Sequence, residues 1–361
     1  MRKLTLLLTS FFLSFYVINA QIVLTIDGQT YTNSNSTTWD GVNVPRSAKT
    51  TFTFKNSSIT SQNGNGYMLQ AGDEGVGSSN NNLNGEEILG NKFTWNGNDL
   101  PSNICHGIFV GFNINTVIKY NYIYRAATSI VVKSNGMTNT AGGISYNIFN
   151  NPTIMAISVK GIKGTKIYNN TFYSTQKEYS GSNTPGTSEG IISVFPNDSY
   201  SNSYSSGTKI KNNIFYTKYQ IANIRIETSS DAEGFESDYN IFWCEEGTPY
   251  FDYLGSWKTF AQWQALGYDL HSIVMNPQFN ADFVPKDKLD YGVNLGSGFQ
   301  TGLSIYGSWN LGSQPGTANQ NGVWQVGARI YGRATGIEKI YEDPKETEPK
   351  RTFGCSRIEL D

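Results

Sequence analysis

Two lysines and an arginine are the residues whose types and spacing most readily make chemistry in this sequence. Lys133, Lys160 and Arg225 fall in three similar segments, Ile130-Val131-Val132-Lys133, Ile157-Ser158-Val159-Lys160 and Ile224-Arg225-Ile226-Glu227. If these are equivalent strands, Lys133 and Lys160 lie on neighbours about 4.8 Å apart. Two ammonium groups at that distance repel, which pushes each toward its neutral form, and a neutral lysine is a competent Brønsted base. Arg225 could then grip a carboxylate through the two prongs of its guanidinium. That combination suits β-elimination on a uronic acid polymer, which needs a base at C5 and positive charge beside the adjacent carboxylate. The plainer reading is solvated decoration of an outward strand face. In that reading Arg225 and Glu227, two apart, form a surface ion pair of small value.

Carboxylates supply the competing chemistry. Asp73-Glu74, Glu86-Glu87 and the group Asp231, Glu233, Glu236 and Asp238 could bind Ca²⁺ or act as an acid/base pair on a glycosidic bond. No EF-hand or repeat-type calcium pattern accompanies them, so calcium stays an open question and no cofactor is required. Glu86 occupies the place held by Thr116, Thr165 and Thr208 in related segments, which also fits an ordinary strand residue. Aromatic rings are the third signal, because sugars lay their C–H faces on them. Phe109 reads as a carbohydrate contact and Phe195 as packing. Trp95 and Tyr124 are expected in turns nearby, and Arg125, Glu227 and Trp95 complete the substrate-binding candidates. With two His and three Cys in the chain, a His-rich or Cys-rich zinc site is excluded. Cys105 and Cys244 read as small buried hydrophobes.

The elements that position these groups follow from a repeat. Ile-x-x-Asn-x-Phe occurs as Ile88/Asn91/Phe93, Ile118/Asn121/Ile123, Ile144/Asn147/Phe149, Ile167/Asn170/Phe172 and Ile210/Asn213/Phe215, then decays to Ser237/Asn240/Phe242. The Asn residues are 30, 26, 23, 43 and 27 apart, too irregular for a helical array but natural for stacked β-coils with variable turns. Ile and Phe should stack inward, and Asn at each bend should adopt a left-handed backbone and hydrogen-bond along a ladder. A second strand recurs between the motifs, beginning Tyr67-Met68-Leu69-Gln70 and Ile108-Phe109-Val110-Gly111. Its first and third residues face in. The second and fourth face out, giving columns that run through Phe109, Val131, Ser158, Ser193 and Arg225 and, beside it, Lys133, Lys160, Phe195 and Glu227.

From residue 51 to 242 these motif copies resemble secreted bacterial proteins with right-handed parallel β-helix repeats, the pectate-lyase-like superfamily. The resemblance implies an all-β right-handed parallel β-helix, a solenoid. Lys133 within Val131-Val132-Lys133-Ser134, with a further basic group, is similar to the alginate-lyase and chondroitinase-B type of lyase. In that type an acidic residue just upstream of the lysine helps to bind calcium. Residues 126–129, Ala-Ala-Thr-Ser, carry none. The superfamily also holds hydrolases, epimerases and non-catalytic adhesins, so a glycan-binding or surface protein and a glycoside hydrolase stand beside the lyase.

The ends complete the organisation. Arg2 and Lys3 precede an apolar run over 4–17 and then Ile18-Asn19-Ala20, the layout of a secretory signal peptide cut after Ala20. Residues 21–332 form one β-helix domain, with an N-terminal cap, rungs over about 51–250 and a C-terminal cap over about 251–332. That cap includes a short helix within 256–267, where apolar residues recur at helical spacing, followed by extended segments at 275–279 and 326–331. Residues 333–361 are charge-rich and aperiodic, a disordered tail. The long insertion between Phe172 and Asn213 is either a groove wall or an inert loop. A net charge of -2 offers no field for nucleic acid, and no later apolar run reaches the roughly 20 residues of a membrane span. The expected partner is an anionic polysaccharide, met by an exported monomer at the bacterial surface or in the periplasm.

Overall fold

A computed structural model describes residues 22–33, 42–44, 50–62, 66–72, 85–97, 105–175, 189–332 and 334–335. The expected signal segment 1–20, Asp73-Glu74, Cys355 and most of the charged tail lie outside those residues. Strand accounts for 47% of the chain and helix for 5%, so the protein is all-β.

Three long sheets carry the described strands. The chain visits them in the same order on every circuit, and each strand pairs with its counterpart from the next circuit. The first sheet runs from Ile22–Asp27 to Glu236–Asp238, the second from Thr30–Asn33 to Ile273–Val274 and the third from Val42–Val44 to Ser256–Thr259. All of these pairings are parallel except the last in the third sheet, where Tyr250–Tyr253 and Ser256–Thr259 form an antiparallel hairpin. Long stacked parallel sheets of this kind are compatible with a β-helix.

The repeat explains the stacking. In the first sheet Ile88, Ile118, Ile144, Ile167 and Ile210 are in register, and none is more than 2% exposed. In the second, the rings of Phe149, Phe172, Phe215 and Phe242 stack at 4.8, 4.8 and 4.9 Å. Each such side chain contributes about 2 to 3 kcal/mol by leaving water. Between these two sheets the Asn side chains form the expected ladder. Asn91 donates from Nδ2 to Oδ1 of Asn121 at 3.0 Å, and the same bond repeats through Asn147, Asn170, Asn213 and Asn240.

The left-handed backbone falls one residue earlier than expected. Gly90, Tyr120, Tyr146, Asn169, Asn212 and Tyr239 hold φ between 52° and 65°, and the ladder Asn follows each of them. The bend thus aims the ladder amide inward while the strained residue points its side chain out. Two further corrections concern register and the C-terminal region. Leu69, not Tyr67, pairs with Ile108, so Gln70 adjoins Phe109 and Met68 leaves the column. The helix is shorter than the periodic segment, covering Phe260–Ala265 behind a capping box between Thr259 and Gln262, because residues 256–259 are spent in the hairpin. Its buried Trp263 stacks on Phe251 at 4.7 Å.

The segment after Val274 returns along the outside of the bends. Asn212 donates to the carbonyl of Val293, Asn169 to that of Gln325, Tyr146 to that of Phe299 and Tyr120 to that of Thr301. The Gly312 amide reaches the carbonyl of Asn56 near the first circuits. Holding a tyrosine left-handed costs about 1 to 2 kcal/mol, and burial of Tyr120 and Tyr146 against Leu303, Ala318 and Ile330 offsets it. This segment carries its own small sheet, in which Ala334–Thr335, from the range expected as a tail, pairs with Thr317–Asn319.

Candidate functional site

The outer face of the third sheet gathers most of the chemistry-bearing residues. Lys133 pairs with Lys160, and Lys160 with Phe195, on three successive strands. In the neighbouring column Ser158, Ser193, Arg225 and Asp252 are in register. The Phe195 ring lies between the two columns' cations, 5.9 Å from the Lys160 ammonium and 5.8 Å from the Arg225 guanidinium. At 9% exposure it is a packing ring, as its position predicts.

A bulge borders the lysines. After Lys133 the register with the next strand jumps, so that three residues, 134–136, face Gly161 alone. Bulges of this kind re-aim side chains at the rims of sites. Asn197 donates to the Ser134 carbonyl at 2.7 Å and Ser203 to the same oxygen at 3.2 Å. Both belong to the long insertion, and Tyr200 beside them sets its ring edge-on to Phe112 at 5.6 Å. The described part of the insertion is therefore a wall against this face.

Arg225 is not an open carboxylate receptor. Its side chain is ion-paired with Glu189 at 3.0 Å, Glu227 at 3.6 Å and Asp252 at 4.0 Å. Three carboxylates already surround one guanidinium, so a fourth from a substrate would meet net negative charge. Glu189 and Asp252 were not among the candidates. Asp252 follows Arg225 at the 27-residue interval that separates Asn213 from Asn240 and could have been found by extending the column one circuit. Glu189 arrives from the insertion and carries no such signal. Gly190 beside it lies so close to Arg225 that a Cβ there would fall 3.0 to 3.1 Å from the Arg225 backbone nitrogen and Cβ. Desolvation, then Asp198, Glu189 and Asp231, raise the Glu227 pKa above the usual carboxylate range against the pull of Arg225.

The other candidates lie elsewhere. Phe109 is 2% exposed, because Tyr67 stacks on it at 4.5 Å and Val131 packs beside it, so it offers no face to a sugar. Trp95 ends the strand Lys92–Trp95 rather than standing in a turn, and its ring joins the main core. Tyr124 likewise sits in a strand, Tyr122–Tyr124. Arg125, held left-handed, places one terminal nitrogen 3.4 Å from the Gly97 carbonyl. It precedes the strand that begins at Thr128, and Lys133 lies five residues, about 17 Å of extended chain, further on. The site therefore does not assemble all of its predicted members.

The acidic group near 231–238 disperses into separate structural roles. Asp231 accepts from the Ser205 amide and from the hydroxyl of Thr228, which caps a short helix, Glu236 binds Lys209 and Lys211, and Asp238 holds His271. Glu86 is buried, accepting from Thr116 at 3.1 Å, and desolvation pushes its carboxyl up to about 7. Among the described residues no three His, Cys, Asp or Glu side chains converge as a metal site, and no helix is long and apolar enough to cross a membrane. Cys105 and Cys244 are free and buried.

No family model matches the chain, and no curated protein or solved structure matches it either.

Proposed function

We propose that this chain is an exported, monomeric right-handed parallel β-helix protein of the pectate-lyase-like kind that acts on an acidic polysaccharide along the outer face of its third sheet. The observation that carries this reading is the registered pair Lys133 and Lys160, bordered by a bulge and walled by the insertion. In the lyase mechanism the side-chain nitrogen of one lysine takes the C5 proton of a uronate. The electron pair forms the C4–C5 double bond, the C4–O bond breaks, and the leaving oxygen takes a proton from water or from the second lysine. That second ammonium also lies where it can offset the uronate carboxylate. Arg225 is a positioning residue in this scheme: it orders Glu189, Glu227 and Asp252 at the edge of the face.

A second reading draws on Glu189 and Glu227. Their shared guanidinium holds them within roughly 9 Å of each other, a ceiling that admits the carboxylate spacings of both retaining and inverting glycoside hydrolases. One experiment separates these readings. The protein is incubated with a panel of uronate and neutral polymers, following absorbance at about 235 nm, where unsaturated uronates absorb, and reducing ends in parallel. Elimination lost in both Lys133→Ala and Lys160→Ala supports the lyase. Reducing ends without absorbance, lost in Glu227→Gln, support the hydrolase. Binding with neither product leaves a glycan-binding protein.

A further inference from the structure

A hydroxyl buried on a sheet face ordinarily has a partner, because leaving it unpaired costs free energy. Ser158 departs from that rule. Val131, Ser158, Ser193 and Arg225 stand in register on four successive strands of the third sheet. Val131 has no polar side-chain atom, Ser193 shares its hydroxyl with the Gly190 amide at 2.9 Å and carbonyl at 3.4 Å, and Arg225 is committed to Glu189, Glu227 and Asp252. Ser158 is 4% exposed, and its hydroxyl has no hydrogen-bond partner among the described residues. The hydroxyls of Ser129 and Ser134 on the preceding strand are unpartnered too but sealed off, whereas that of Ser158 keeps an opening to the outside. Ile157 and Val159 belong to the core, which turns Ser158 and Lys160 outward together, about 7 Å apart along the strand. The Lys160 ammonium stands 5.9 Å from the centre of the Phe195 ring, its neighbour in register. A ring face attracts the charged form of an amine and limits where it can lie.

The flexible stem of lysine lets its ammonium lean toward the shorter serine, so the pair can offer one small anion both a hydroxyl donor and a positive charge. A carboxylate has the two oxygens to accept them. We propose that Ser158 and Lys160 form the seat for a sugar carboxylate, Ser158 donating its hydroxyl to one oxygen and the Lys160 ammonium meeting the other, and that Ser158 makes this face select a carboxylate-bearing unit over its neutral counterpart. The proposal rests on the acidic-polysaccharide reading above and names the residue within it that recognises the acid. Ser193 would have to give up its bonds to Gly190 to do the same, but Ser158 gives up none. A bond to a charged acceptor is also about twice as strong as one to a neutral oxygen, which sets the direction of the preference. Phe195 is then a positioning residue, acting through the Lys160 ammonium.

Calorimetry at one ionic strength tests it with hexasaccharides of polygalacturonate, polymannuronate and polyglucuronate, each compared with the same oligomer whose carboxyl groups have been reduced to primary alcohols. Ser158→Ala should weaken the uronate that the parent binds about tenfold and change its reduced form by less than about twofold. Ser158→Thr, which keeps the hydroxyl on a residue suited to strands, should recover most of the loss. Lys160→Met keeps the stem without the charge and should also weaken the uronate. Combined with Ser158→Ala, its effect should be less than additive, because both side chains act on one carboxylate. Thermal melts check that each variant is folded, and Ser158→Cys, similar in size with a weak donor, replaces Ser158→Ala if that variant does not fold. Uronate affinity equal to the parent's in the folded variant, or an equal loss for both forms of the oligomer, overturns the proposal while the acidic-polysaccharide reading stands. No uronate bound by the parent overturns that reading as well.

Discussion

Asn240 donates from Nδ2 to Oδ1 of Asp269 at 2.8 Å, so the ladder of amides ends on a carboxylate. Each ladder amide upstream donates one N–H to the next Oδ1, always toward the C-terminal circuits, and the other to a backbone carbonyl of the preceding circuit. Hydrogen-bonded amides in such a row polarise one another, and the row ends on Asp269. Asp269 also accepts from Trp263 Nε1 at 2.7 Å and Ser272 at 2.5 Å, joining the ladder to the helix. Burial pushes its pKa up while these donors pull it down.

Removing that carboxylate should be costly. Asp269→Ala strands three buried donors and should destabilise the fold by about 3 kcal/mol or more. Asp269→Asn, which keeps one acceptor oxygen, should cost distinctly less. Urea unfolding followed by tryptophan fluorescence gives both values; equal stability of Asp269→Ala and the parent would show that the ladder does not depend on its terminus.

Glu86 predicts a pH profile. Its folded pKa of about 7 lies above the unfolded value of 4.5, so the native state retains a proton that the unfolded chain releases. The stabilising contribution is complete below about pH 4.5, declines as pH rises, and is lost above about 7, a change of about 3 kcal/mol. Glu86→Gln should flatten this part of the profile and exceed the parent in stability at pH 8. Unfolding midpoints at pH 5, 6, 7 and 8 measure it, and parallel profiles for the two proteins would refute the assignment.

Arg225→Ala should harm folding before it harms recognition. It removes the guanidinium that Glu189, Glu227 and the buried Asp252 share, a loss of about 3 to 5 kcal/mol. Arg225→Lys should recover only part of this, because an ammonium cannot serve three carboxylates as a planar fork does. If the melting temperature of Arg225→Ala matched the parent, the ion-pair cluster would have no structural role.

Salt should separate recognition by charge from recognition by shape. If Lys133 and Lys160 meet an anionic glycan, affinity should fall steadily as NaCl rises from 50 to about 500 mM, through a shrinking Debye length. Lys160→Ala should blunt that dependence. Salt-independent binding by the parent would move recognition away from the lysines.

The stacked circuits were legible because Ile118, Ile144, Ile167 and Ile210 recur with an Asn three residues on, a pattern that only equivalent bends require. The slip at Tyr67 was not. A shift of two residues preserves in/out alternation, so alternation alone cannot choose between Leu69 and Tyr67 as the partner of Ile108. The same slip hid the ring that buries Phe109. Lys133 and Lys160 were placed correctly as neighbours because both segments share Ile-x-Val-Lys. The neighbours of Arg225 were only half visible, since Asp252 keeps the repeat interval whereas Glu189 comes from an insertion. Tyr120 and Tyr146 gave no hint of left-handed backbone, a conformation in which bulky residues are rare.

The returning C-terminal segment has a consequence for how the protein is made and lost. A stack of circuits held only by nearest neighbours can fray from either end, one circuit at a time. Here Trp309 donates to the carbonyl of Tyr120, 189 residues earlier, and Gly312 reaches Asn56. A later part of the chain therefore fastens circuits that precede it by up to about 250 residues. Contacts so distant in sequence slow the step of folding that forms them. Circuits bridged in this way should open together rather than one after another, so their unfolding should be more cooperative than that of an unbridged stack.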